Sequence, residues 1–93
     1  MRLDSKEINA IVDAIREVSK GPIYLFGSRV DDDKRGGDID LFIDDDKLQI
    51  SDVINILVRI KEKIGEQKID LLIPKKLHPA FVEHIKETGL RLA

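Results

Sequence analysis

The alternation of aspartate with large apolar residues in GDIDLFI, residues 37–43, constrains the fold of this chain more than any other feature. In a β-strand, residues two positions apart share a face and lie about 7 Å apart. We therefore expect Asp38 and Asp40 to project from one face, while the apolar residues between and after them point into a core. Such a strand is covered on one side and carries paired carboxylates on the other.

Three short runs rich in strand-favouring residues are predicted to form the sheet: Ile23–Phe26, Ile39–Ile43 and Ile69–Ile73. Each run is too short for a helix, and Gly27 and Pro74 end the first and the third. Segments with helical periodicity lie before, between and after these runs. The predicted element order is therefore α-β-β-α-β-α.

Three segments place apolar residues at helical spacing. The first covers residues 5–19, the second has Ser51 as its predicted N-cap and Gly65 as its terminator, and the third begins near Pro79. We predict a single domain over residues 1–93, of the α/β (α+β) class. Its small mixed three-stranded sheet is expected to carry helices on one or both faces.

Composition narrows the class of protein. The chain is 42% hydrophobic and 37% charged, and no apolar run approaches the length needed to cross a bilayer, so no membrane association is expected. The start, MRLDSKE, is charged too early for a signal peptide. With no cysteine, the chain has no disulfide framework and no thiolate metal site, which agrees with a cytoplasmic location.

The net charge of -2 hides an asymmetry, since residues 1–46 carry a net charge of -5 and residues 47–93 a net charge of +3. Most of the acidic side chains lie in residues 31–46. Such a cluster repels nucleic acid unless cations intervene, so no direct nucleic-acid binding is expected. A metal site and a solvated loop both explain the cluster, and for Asp31–Asp33 we favour the solvated loop.

The third predicted strand repeats the alternation, with Asp70 on the face opposite Ile69 and Leu71. If the second and third strands are neighbours, Asp38, Asp40 and Asp70 converge on one patch that a divalent cation would neutralise. A D-x-D pair is expected by chance about once or twice at this aspartate content, and three occur. The pair Asp38 and Asp40 therefore indicates a site only because it lies within a predicted strand.

A Gly-Ser pair ends the first strand, where backbone N–H groups and a hydroxyl can approach a phosphate closely. Competing motifs fail on spacing. An EF-hand loop starting at Asp31 would have Arg35 and Phe42 where it needs an oxygen ligand and a glutamate. Neither a Walker-type phosphate loop nor G-x-G-x-x-G occurs.

Taken together, FGSR, the nine-residue spacer after Ser28, GDIDLFI and the later KIDLLI resemble the minimal nucleotidyltransferases (MNT) of the DNA polymerase beta superfamily. The pattern of that family is G-S, a loop of about ten residues, and aspartates alternating with apolar residues. The resemblance covers nearly the whole chain. Gly37 stands where a serine is common, and the acidic insert Asp31–Asp33 is less usual.

The resemblance implies a nucleoside triphosphate site that depends on magnesium, with two ions. Gly27 and Ser28 would hold the triphosphate, and Arg29 would help to neutralise its charge. Asp70 would also assist deprotonation of the acceptor hydroxyl. The catalytic and metal-binding residues that the resemblance implies are Asp38, Asp40 and Asp70.

The function implied is transfer of a nucleoside monophosphate, AMP from ATP, onto a hydroxyl. The family also implies a partner toxin of the HEPN type. With such a partner, the chain would be an antitoxin of the HEPN/MNT type. A homo- or hetero-oligomer is also an expectation from this resemblance. Three alternatives stay open: a binding module that neutralises its partner by contact, a transferase acting on a small-molecule hydroxyl, and a sugar transferase, for which the chain is short.

Other polar and aromatic residues have simpler interpretations. His78 and His84 are expected at the start and on the polar face of the last helix, without a catalytic role. Phe42 either lines the nucleotide pocket or covers the sheet. Lysines 75 and 76 either meet phosphate or are solvated. The apolar residues considered for contact with a partner or for packing under the sheet are Phe81, Val82, Ile85, Leu90 and Leu92.

Overall fold

The computed structural model describes residues 4–27 and 39–93, which form three α-helices and a four-stranded sheet. The mixed α and β architecture confirms the predicted class, and the sheet has one strand more than predicted. The elements in chain order are α1 (Ser5–Arg16), β1 (Ile23–Phe26), β2 (Ile39–Ile43), α2 (Ile50–Ile64), β3 (Ile69–Leu72), a short 3₁₀ helix (Pro74–Lys76), α3 (Pro79–Thr88) and β4 (Leu90–Arg91).

The strands lie in the order β3-β2-β1-β4. β1 is antiparallel to both β2 and β4, and β2 is parallel to β3, with α2 in the connection between them. The additional strand, β4, is short and is held by backbone hydrogen bonds. The Leu92 amide donates to the Ile23 carbonyl at 2.7 Å, and the Ile23 amide donates to the Ala93 carbonyl at 3.1 Å.

The main core lies between one face of the sheet and helices α1 and α2. Alternate residues of the strands meet the apolar faces of the two helices, as their spacing predicts. The buried members of this core are Ile11, Ala14, Ile15, Ile23, Leu25, Ile39, Leu41, Ile43, Leu48, Ile56, Ile60, Leu71 and Ile73.

Helix ends follow local polar contacts. The predicted capping box at the start of α1 is confirmed, since the Asp4 carboxylate accepts from the Glu7 amide. The end predicted for this helix, at residue 19, is three residues too late. Arg16 folds back over the end of the helix, and its guanidinium donates to the carbonyl oxygens of Ser19 and Gly21.

The second helix begins at Ile50, one residue before the predicted cap, Ser51. Its N-cap is Gln49 rather than Ser51, because the Gln49 amide donates to the Asp52 carboxylate at 2.9 Å. The helix ends at Gly65, as predicted. Within the described residues, the three helices are all too short or too polar to cross a membrane.

The opposite face of the sheet carries α3. Phe42 is fully buried there beside the ring of Tyr24, at 6.2 Å between ring centroids. Ile85 of α3 is also buried, outside the main core. Of the two uses considered for Phe42, the structure supports covering the sheet.

Candidate active site

Two of the three predicted carboxylates are neighbours across a pair of parallel strands. Asp40 of β2 and Asp70 of β3 are register partners, and adjacent strands lie about 4.8 Å apart. Leu41 and its partner Leu71 both point into the main core, so the two aspartates project from the opposite face. The prediction that the second and third strands are adjacent is therefore confirmed.

The end of β1 lies against the same carboxylate. Gly27 has φ of +75°, a backbone conformation that other residues rarely adopt. A Cβ atom on Gly27 would overlap the Oδ2 atom of Asp40, and no other atom would come as close. Glycine is thus required here both by its backbone angle and by the space next to Asp40.

Several predicted site residues lie outside the described residues. These are Ser28, Arg29, Asp38 and the acidic insert Asp31–Asp33. Among residues 4–27 and 39–93, no three histidine, aspartate or glutamate side chains converge as a metal site. The described residues thus place Asp40 and Asp70 side by side, and the predicted set of three carboxylates stays a prediction.

The donor set at Asp40 and Asp70 fits a hard divalent cation. Carboxylate oxygens are the ligands that magnesium prefers, and a cation bound between two carboxylates on adjacent strands reduces their mutual repulsion. Gly27 has no side chain that would displace the Asp40 carboxylate from this position. The two aspartates can therefore hold a cation, and a bound cation can in turn bind an anion.

Lysine side chains flank the start of β3. A shallow cavity of about 400 Å³ is lined by Lys61, Glu66, Gln67 and Lys68. Lys68 directly precedes Ile69, the first residue of β3. Lys61 and Glu66 form an ion pair of 2.8 Å, and this hydrogen bond raises the pKa of Lys61 and lowers that of Glu66. Because each charge of this pair neutralises the other, the pair adds no net charge beside the start of β3.

Lys75 and Lys76 occupy the other end of β3. They belong to the 3₁₀ helix that follows the strand and line a second cavity of about 460 Å³ with Gln49, Ile50, Ser51 and Ile73. Because β3 runs from Asp70 towards them, they lie beyond the far end of the strand. Of the two interpretations considered for these lysines, the structure favours solvated turn residues over contact with a phosphate near Asp70.

Two aromatic residues near the aspartates were not predicted as site residues. Phe26 is the register partner of Asp40 and shares its face of the sheet. The ring of Phe81 meets that of Phe26 edge-on, at 6.3 Å and 88°. The alternation of residues in β1 could have indicated the position of Phe26. Leu25 points to the main core, and Phe26 therefore points to the face of the aspartates.

The two histidines have different positions on α3. His78 is the N-cap, and its Nδ1 atom accepts from the Ala80 amide at 3.0 Å. His84 is exposed, with its ring nearly parallel to that of Phe81. His78 thus starts the helix, as its position beside Pro79 suggested.

Comparison with known proteins gives one finding. The family model described as Polymerase beta, Nucleotidyltransferase matches residues 6–93, which include all four strands of the sheet. No protein of curated function gives a significant match. Since the match spans nearly the whole chain, and the sheet brings together the aspartates of its two D-containing strands, this chain belongs to the Polymerase beta nucleotidyltransferase family.

Proposed function

We propose that the chain is a metal-dependent nucleotidyltransferase that moves a nucleoside monophosphate, AMP from ATP, onto a hydroxyl. The observation that carries this proposal is the pairing of Asp40 with Asp70 beside Gly27, in a chain of the nucleotidyltransferase family. The carboxylates and the glycine packed against one of them are complementary parts of a site for a metal-bound triphosphate.

Each residue has a role in this proposal. Gly27 and Ser28, with Arg29, bind the triphosphate, and Asp38, Asp40 and Asp70 hold Mg²⁺ as two ions. Magnesium supplies positive charge that stabilises the phosphates and the leaving pyrophosphate. The Asp70 carboxylate accepts the proton of the acceptor hydroxyl. The acceptor oxygen then bonds to the α-phosphorus, the bond from that phosphorus to the bridging oxygen breaks, and pyrophosphate leaves.

The acceptor in this proposal is a hydroxyl of a HEPN-type toxin, which makes the chain a cytoplasmic antitoxin. Support comes from the sequence resemblance and from an apolar stripe on α2, formed by Ile50, Ile54 and Val58. These side chains recur every four residues and are each at least half exposed. Contiguous exposed apolar side chains are typical of protein contact surfaces.

The same stripe favours one alternative function, in which the chain neutralises its partner by contact without transfer. A transferase acting on a small-molecule hydroxyl is the other alternative. The molecule that receives the nucleotide distinguishes both alternatives from the proposal.

The experiment incubates the chain with magnesium and with ATP labelled at the α-phosphate, with and without a HEPN-type partner. The proteins are then examined by intact mass spectrometry.

The expected result is a partner heavier by one or more AMP groups, and no such product with Asp40→Asn or with EDTA. A partner that is inhibited but unmodified supports neutralisation by contact. Release of pyrophosphate with a small alcohol in place of the partner supports the small-molecule alternative. Ile54→Glu should weaken partner binding, whereas Asn55→Glu, on the neighbouring exposed position of α2, should leave it unchanged.

A further inference from the structure

The face of the sheet that carries Asp40 continues directly into an aromatic surface. Phe26 is opposite Asp40 on the adjacent strand, so the two Cβ atoms are about 5 Å apart. Phe81 lies edge-on against Phe26, and its side chain is 40% exposed. The exposed ring of Phe81 is thus one side chain removed from the aspartate.

A second ring extends this surface along α3. The imidazole of His84 lies at an angle of 17° to the ring of Phe81, with 6.4 Å between centroids. The two residues are three positions apart on the helix and therefore share a face. We call Phe81 and His84 the aromatic platform.

The platform is held in position because the end of α3 is tied to the sheet. His78 caps the start of this helix and so keeps its first turn formed. At its end, Gly89 lies so close to the sheet that a Cβ atom there would be 3.0 Å from the Leu25 carbonyl oxygen and 2.6 Å from that of Ile85. Lys86 also forms an ion pair of 2.7 Å with Asp44, which directly follows β2. A ring held in this way binds a planar ligand with little loss of conformational freedom.

We propose that the aromatic platform binds the base of the nucleoside triphosphate by stacking. This inference rests on the proposed function, since the platform receives the base only if Gly27, Asp40 and Asp70 hold the triphosphate. The triphosphate needs charge and backbone donors, whereas a base offers a flat π-face that matches an exposed phenyl ring. Phe81 offers a base only apolar contact area, so its ring favours large bases over small ones.

The test compares ATP with inorganic tripolyphosphate, which has the phosphates and lacks the nucleoside. Affinities are measured by calorimetry with saturating magnesium. ATP is expected to bind the unmodified chain about five- to a hundredfold more tightly than tripolyphosphate. Phe81→Leu, which keeps an apolar side chain against Phe26, should remove most of that advantage and leave tripolyphosphate binding unchanged.

Two further variants keep the result independent of stability. Phe81→Trp should retain the preference for ATP, and because the chain has no other tryptophan, ATP should quench its fluorescence while tripolyphosphate does not. Leu90→Ala is the matched control, since Leu90 is 39% exposed and pairs with Leu25 on the other face of the sheet. It should leave both affinities unchanged.

The outcomes separate the platform from the proposed function. Binding of neither ligand overturns the proposed function and the platform with it. Equal affinities for ATP and tripolyphosphate overturn the platform alone, as does a preference for ATP that persists in Phe81→Leu. Absence of ATP quenching in Phe81→Trp, when ATP binds, also overturns it.

Discussion

Gly27 and Asp40 are in such close contact that only the hydrogen atoms of a glycine fit beside the carboxylate. The contact joins the end of β1 to Asp40 near the start of β2, and these two strands are antiparallel neighbours. It therefore places a backbone with positive φ, whose N–H groups can meet an anion, directly next to a carboxylate that can hold a cation.

The first prediction concerns this contact. Gly27→Ala should lower the free energy of unfolding by about 1–3 kcal/mol because of its φ, and should also weaken Mg-ATP binding by displacing the Asp40 carboxylate. Gly65→Ala is the matched control, since Gly65 has φ of +81° with no atom within 4 Å of the added Cβ. It should cost stability without changing affinity. Equal affinities in the two variants would count against the site.

The second prediction separates the aspartates. Asp40→Asn and Asp38→Asn should reduce transfer by at least about a hundredfold while the chain remains folded, because an amide keeps the volume and removes a charged ligand. Asp70→Asn should slow transfer by about 10²- to 10⁴-fold and retain most nucleotide affinity, since Asp70 acts on the acceptor proton and shares its metal with the other aspartates. Transfer rates and calorimetric affinities check both expectations. If Asp70→Asn lowered the rate and the nucleotide affinity by the same factor, Asp70 would act only as a ligand of the nucleotide site.

The third prediction concerns metal. Affinity for ATP should be at least about tenfold higher with magnesium than with EDTA, because magnesium bridges the negative charges of the aspartates and of the phosphates. Calorimetry at matched ionic strength measures it, and sodium chloride in place of magnesium chloride is the control. Equal affinity with and without magnesium would contradict the proposed site.

The fourth prediction concerns pH and stability away from the site. The Ser19 hydroxyl donates to Asp45 at 2.5 Å and, with the Lys47 amide, lowers the pKa of Asp45 from its ordinary value of 3.8. This stabilisation is fully present above about pH 4 and is lost as pH falls through the lowered pKa. Ser19→Ala should therefore cost about 1–3 kcal/mol at pH 7 and less below pH 3.

Denaturant unfolding at several pH values checks the fourth prediction. Ser51→Ala, at an exposed position, should change stability by less than about 0.5 kcal/mol at any pH. A loss in Ser19→Ala that is the same at pH 7 and pH 3 would mean that the hydroxyl acts only through the Gly21 amide, which donates to it at 3.1 Å.

The strands of the main core were predictable because their pattern is local. β1 and β2 have the predicted bounds, and the α2 terminator is Gly65 as expected. Alternation along β2 and β3 also predicted that Asp40 and Asp70 would converge if the two strands were neighbours. Their register is a property of the parallel pairing and confirms that placement.

Features that depend on distant partners were not predictable. The two residues of β4 have no periodicity, and only pairing with β1 makes them a strand. The first helix stops at Arg16 because its guanidinium finds carbonyl acceptors beyond the helix and Ser19 bonds to Asp45. Packing under the sheet was the interpretation favoured for Phe81 over contact with a partner, but a helical stripe does not reveal which strand it meets, so its contact with Phe26 was not predicted.

The pairing of β4 with β1 has a consequence for the order in which the fold opens. It joins Ile23 to Leu92 and Ala93, about 70 residues later in the sequence, so its loop closure carries a larger entropy cost than that of the β1–β2 pair. We expect the Leu92 amide hydrogen to exchange with solvent through local opening, and amides of β2, between two strands, to exchange only on global unfolding. Because Gly89 joins α3 to β4, bound nucleotide on Phe81 should slow exchange at Leu92.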